Sequence, residues 1–186
     1  MKIVILFFSL SLMIFANNEK VNLNEKELKE LKTNGFVIKR DRETKKGFIS
    51  FDINKTLQAV YKEIKELSSY PAKIKDVDKV EIYHNKNNII KAKIYIDNFF
   101  VSFSNSVIHY IDDKNHHISW TLDKKFDTNN YFAKMNGYWR LKQIDENTTR
   151  VFYANDLEFK NWVPGFLENY LFDKGLKEST FWLKQQ

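Results

Sequence analysis

The stretch NWVPGFLENYLFDKGLKESTFWLK, residues 161–184, decides the fold. Pro164 is one of two prolines in the chain, and proline opens helices but breaks their interiors. The residues after it repeat with helical period, which predicts a long helix over 164–184. At about 100° per residue, Asp173, Lys174, Lys177, Glu178 and Lys184 share one arc. Leu171, Phe172, Gly175, Leu176, Ser179, Trp182 and Leu183 share the opposite arc. That second arc is the inner face, apolar but notched at Gly175 and Ser179. A mid-helix glycine costs about 1 kcal/mol relative to alanine, so either a sheet approaches closely or a cavity lies beneath. Glu168 falls on the same arc. It reads either as a margin residue reaching water or as a polar group lining the cavity.

The upstream chain supplies what such a helix covers. LNEKELKELK (23–32) reads as a short amphipathic helix stopped by Asn34-Gly35. GFISFDI (47–53) alternates, with Ile49, Phe51 and Ile53 on one face, as a half-buried strand does. In KTLQAVYKEIKEL (55–67), Leu57, Val60, Tyr61, Ile64 and Leu67 have helical spacing. Asn54 is the expected cap, and the helix is predicted to end before Ser68-Ser69-Tyr70-Pro71. From residue 74 to about 157 the period is two. Strands are predicted over 74–84, from Ile90 through Ile96, and over 99–110, 117–122, 138–144 and 150–157, with short turns between. The order is strand, helix, about six antiparallel strands, terminal helix. This is an α+β chain whose sheet needs a long helix to bury one face.

At the other end, Met1-Lys2 precedes the apolar run IVILFFSLSLMIFA. The run is shorter than the ~20 apolar residues a membrane span requires and ends at a small residue. It predicts a signal peptide cleaved after Ala16 and export to the periplasm or beyond. Residues 17–46 form a lead-in containing the short helix, and 47–186 the main domain. Cleavage would leave 170 of the 186 residues, enough for one domain with a substantial core. The chain has no cysteine, so disulfides, thiol catalysis and thiolate-held metal are excluded. The formal charge of +6 comes from dispersed lysines. Together with export, this argues against nucleic acid and suits transient contact with an anionic membrane surface.

Few residues point to chemistry. His116-His117 follow a turn and are expected to face solvent. Adjacent strand residues point to opposite faces, so the two do not share a metal. No His-Glu-x-x-His spacing, Gly-x-Ser-x-Gly elbow or glycine-rich phosphate loop occurs. No metal, cofactor or catalytic residue is therefore assigned. Alternation instead places Ile118, Trp120 and Leu122 on one concave surface, with Trp139 and Leu141, then Val151 and Tyr153. These positions suit either an aromatic core or an aromatic-lined pocket.

Four stretches carry a family resemblance: ELKELKTNGFVIKR, ISFDINKTLQAVYKEIKELSSYP, GYWRLKQIDENTTRVFY and the opening Trp-x-Pro-x-x-Leu. In this order they resemble the START-like, Bet v 1-type (SRPBCC) superfamily. It includes polyketide cyclase/dehydrase-like and coenzyme Q-binding-like bacterial proteins. Ser68-Ser69 departs from the Asp-x-x usual before Tyr-Pro. The resemblance implies a helix-grip fold, in which a curved antiparallel sheet wraps a long C-terminal helix around an apolar cavity. It implies binding of lipids, sterols, quinones or polyketides by most members and catalysis by a minority.

The first reading is an exported, non-enzymatic binder or carrier of a hydrophobic small molecule (a lipid, an isoprenoid or quinone, or similar) in a cavity between the sheet and the C-terminal helix. Its candidate ligand contacts are Trp120, Trp139, Tyr153 and Trp162, with Glu168, Phe172 and Leu176 from the terminal helix. The second is an aromatase/cyclase-type enzyme with His109 or Glu168 as base. The third is a START-like domain with a filled core that acts through its surface.

Overall fold

The computed structural model describes residues 22–41, 43–44, 46–97, 102–128, 131–162, 165 and 175–185. Among these residues, eight strands form one antiparallel sheet in the order β1-β2-β8-β7-β6-β5-β4-β3. The strands are β1 (Val37–Asp41), β2 (Lys46–Ile53), β3 (Val77–Lys86), β4 (Ile89–Asp97), β5 (Ser102–Asp112), β6 (His117–Leu122), β7 (Phe132–Gln143) and β8 (Thr149–Phe159). The meander from β3 to β8 is built of neighbours in sequence. The step from β8 to β2 instead joins distant segments, with Phe51 opposite Val151.

Local chemistry sets the element ends. Helix α1 (Glu25–Asn34) starts in a capping box: Glu27 N–H donates to Asn24 Oδ1, and Asn24 N–H donates to Glu27 Oε2, both at 2.9 Å. It stops at Gly35, whose φ of 75° is the left-handed C-cap that glycine adopts without strain. Helix α2 (Leu57–Lys65) is capped by Thr56 rather than Asn54. Asn54 lies two residues too early to face the helix's first N–H groups. The chain then continues through a 3-10 turn, Leu67–Ser69, into α3 (Tyr70–Lys73), which begins with Pro71 in its first turn. Helix α2 thus ends before Ser68, as expected, and Tyr70-Pro71 opens a separate short helix, because proline needs no N–H partner in a first turn. The β3–β4 hairpin turns on Asn87 and Asn88, at φ 54° and 60°. Both central residues of a type I′ turn need positive φ, which asparagine tolerates.

The main core lies on the inner face, where Ile49, Phe51 and Ile53 of β2 meet α2 through Val60 and Ile64. A second cluster lies on the outer face. There Leu23, Leu31 and Val37 of the lead-in cover Phe48 and Phe152. The lead-in thus adds a strand and a helix to the same sheet. Residues 175–181, termed α4, are helical, and the chain tightens into a 3-10 turn at Trp182–Lys184. The rest of the helix expected over 164–184 lies outside the described residues, apart from Gly165, which is helical. The expected signal peptide lies outside them too. Among the described residues no helix is long and apolar enough to cross a membrane.

Candidate functional site

Strand alternation aims one residue in two at α4. On β5 the inward set is Phe103, Asn105, Val107 and His109. Trp120 of β6, Trp139 of β7, and Tyr153, Asn155 and Leu157 of β8 complete the wall. Gly175, Glu178 and Ser179 of α4 cover it, and Tyr70, Ile74 and Asp76 lie at the α3–β3 end. Between them lies a cavity of about 230 Å³. A water takes about 30 Å³ of liquid volume, and an apolar cavity of about 150 Å³ accepts benzene.

The aromatic floor is a packed set. The Trp139 and Tyr153 rings lie 4.5 Å apart, and Trp120 stacks on Tyr153 at 6.4 Å with planes 27° apart. One cross-strand row explains their placement. Gly47 pairs with Asn155, Asn155 with Gly137, Gly137 with Trp120, and Trp120 with His109. A side chain on Gly137 would overlap the Trp120 indole and the Ala154 carbonyl oxygen, so the indole lies flat against bare backbone. A Cβ on Gly47 would stand 2.5 Å from Asn155 Oδ1 and 2.9 Å from Leu176 Cδ1. The two glycines flanking Asn155 make room for its amide, for Trp120 and for α4.

Three cavity-lining polar side chains are almost wholly buried: Asn105, His109 and Asn155, at 4%, 6% and 9% exposure. Asn105 Oδ1, His109 Nδ1 and Asn155 Oδ1 have no hydrogen-bond partner in the protein. An unsatisfied buried polar atom costs about 1–3 kcal/mol, so three in one cavity mark a place where polar atoms of something else belong. Burial pushes the His109 imidazole down to about 4, so it is neutral at pH 7. Burial also raises the Tyr153 phenol, an effect partly opposed by a hydrogen bond with Ser179. Tyr70 is held in place by donating to the Ile64 carbonyl at 2.7 Å.

The expected ligand contacts fall in different places. Trp120, Trp139 and Tyr153 come together on the cavity floor. Leu176 is fully buried on the Gly47 side of α4, in the main core. Trp162 is 85% exposed and lies outside the cavity wall. Glu168 and Phe172 lie outside the described residues. Glu178, placed on the outer arc by the helical wheel, lines the cavity instead, because it sits one turn from Gly175 on the same face. His116 and His117 are half-buried rather than exposed. His116 packs edge-on against Tyr61 and His117 against Tyr138. Asn105 and Asn155 were not singled out from sequence. Their signal is phase: each is an amide in the apolar register of its strand, beside Val107 and His109 or Tyr153 and Leu157. Among the described residues no three His, Asp or Glu side chains converge to hold a metal.

Residues 53–179, more than two thirds of the chain, match the family model for polyketide cyclase / dehydrase and lipid transport. The chain belongs to that family. Solved structures share this polyketide cyclase and lipid transport fold at low identity. The Zhui aromatase/cyclase from Streptomyces sp. R1128 superposes with a TM-score of 0.68 at 12% identity, covering 75% of this chain and 91% of its own. A STAR-related lipid transfer protein from Xanthomonas axonopodis gives 0.65 at 11%, covering 81% and 97%. A START superfamily protein from Mycobacterium smegmatis gives 0.64 at 14%, covering 81% and 94%. No curated protein matches the chain.

Proposed function

We propose that this family member is a non-enzymatic binder or carrier that holds a hydrophobic small molecule, of lipid, isoprenoid or aromatic type, between its sheet and its C-terminal helix. The observation that carries the reading is the cavity of about 230 Å³ floored by Trp120, Trp139 and Tyr153. A core filled to normal packing density leaves few voids larger than a water, so the filled-core alternative fits poorly. A long terminal helix over 164–184 closing the cavity belongs to the same proposal. So do a signal sequence at residues 1–16, export, and loading or release at an anionic membrane surface, favoured by the formal charge of +5 that remains when Lys2 is removed from the +6 of the full chain.

The test is to purify the full chain under native conditions and analyse its organic extract by mass spectrometry. A stoichiometric apolar compound is expected, and its loss is expected in Trp120→Ala and Trp139→Ala. An extract with no such compound, together with failure to take up any apolar probe, would refute the reading.

The cyclase reading has one observation in its favour: His109 stands in the cavity as a neutral imidazole. Two observations weigh against it. A catalytic histidine is normally oriented by a hydrogen bond to its second nitrogen, and His109 Nδ1 has no such partner. A group at about 4 is also a feeble base at neutral pH. If the extracted compound is converted on incubation with the protein, and His109→Gln stops the conversion without weakening binding, the cyclase reading replaces the carrier reading.

A further inference from the structure

We infer that the ligand is a neutral molecule carrying hydroxyl groups, which donate to Asn105 and Asn155, and that the cavity rejects carboxylates. This rests on the binding reading above and specifies its ligand class. Both amide oxygens lack a partner in the protein, and both side chains are at least nine-tenths buried against the cavity. A carbonyl or carboxylate oxygen placed against them would bring acceptor to acceptor, whereas a hydroxyl satisfies them. His109 Nδ1 offers a third position, and a neutral imidazole nitrogen accepts or donates according to tautomer.

The charge of the wall points the same way. No lysine or arginine lines the cavity among the described residues, and the charged side chains that do are Asp76 and Glu178. A buried carboxylate on a ligand needs a cation or several donors to offset its desolvation. Here it would find no lining cation among the described residues and two amide oxygens that lack a donor. The described lysines lie off the cavity wall. A free fatty acid, the usual first probe for a lipid carrier, is thus the wrong headgroup for this site.

Four compounds with one shared ring system separate the possibilities: naphthalene, 2-naphthol, 2-methoxynaphthalene and 2-naphthoate. Each is measured by equilibrium dialysis against the full chain at pH 7, where 2-naphthol is neutral and 2-naphthoate anionic. A purely apolar pocket ranks naphthalene and the methoxy ether above the more polar naphthol. The expected order is inverted, with 2-naphthol at least about tenfold tighter than 2-methoxynaphthalene, as one satisfied buried acceptor implies, and 2-naphthoate weakest. Asn105→Ala and Asn155→Ala are each expected to lower naphthol affinity about tenfold and leave naphthalene unchanged or tighter. Unfolding curves show which variants retain the fold, and the wild-type ranking does not depend on either.

Tighter binding of the ether, or of naphthoate, than of naphthol overturns the inference while leaving a hydrophobic carrier in place. Undiminished naphthol affinity in both folded variants also overturns it. Binding of none of the four overturns the inference, and the carrier reading falls with it when the organic extract is also empty.

Discussion

Gly137 decides how Trp120 lies. Its missing side chain lets the indole rest on the strand backbone, beside the Ala154 carbonyl. Gly137→Ala is expected to destabilise the fold by about 3 kcal/mol, the upper range for overpacking, in urea unfolding monitored by tryptophan fluorescence. Trp120→Ala in the same chain should restore only part of this, because the Ala154 carbonyl remains in the way. His109 gives a second residue-scale prediction. Its pKa is depressed in the fold to about 4 from the ordinary 6.5, so below 6.5 the unfolded chain takes up a proton that the folded chain refuses. Stability from this group is fully present above pH 6.5 and falls as the pH drops toward 4. Between pH 7 and pH 5 the loss is about 2 kcal/mol. His109→Leu should flatten the pH dependence by that amount. An unchanged slope in the variant would show that His109 is solvated in the fold.

Among the elements, α1 carries weight out of proportion to its length. It turns the β1-β2-β8-β7 end of the sheet into a two-sided structure by covering Phe48 and Phe152. Asn24→Ala removes the capping box and should cost about 1 kcal/mol. Leu31→Ala should cost about 3 kcal/mol, as a buried leucine truncation does, with both read from denaturant midpoints. These elements also show what the sequence reveals and conceals. The inner faces of β2, β4 and β6 are legible because apolar residues hold every second position there. The sequence pattern predicts a strand from Tyr138, but β7 starts at Phe132. An irregularity between Phe132 and Lys134 puts Phe132 and Met135 on one face three residues apart, and this breaks the period. Strand β1 was not foreseen, since VIKRD is short and mostly polar, as suits an edge. The aromatic floor could be read from alternation alone. The amides of Asn105 and Asn155 could not, because a polar residue in an apolar phase looks like noise until its burial is known.

For the molecule as a whole, occupancy and stability are one measurement. A ligand that binds only the folded chain raises its unfolding free energy by about 2.7 kcal/mol at a hundred times its dissociation constant. A thermal melt with 2-naphthol at that level should therefore shift upward, and the shift should fall by about half in Asn155→Ala, whose affinity is expected to be about tenfold lower. The cross-strand row from Gly47 through Asn155, Gly137 and Trp120 to His109 also bears on how the chain reaches this state. Most of the row comes from consecutive strands, but Gly47 reaches Asn155 across 108 positions, from 47 to 155. Such a closure carries a large entropic cost and comes late in folding. On refolding from urea, tryptophan fluorescence should recover as the meander collapses, and capture of 2-naphthol should follow in a slower phase. Simultaneous recovery would contradict this order. Ligand capture thereby reports completed topology, since the seat of the Asn155 amide is unfinished until β2 and β8 have met.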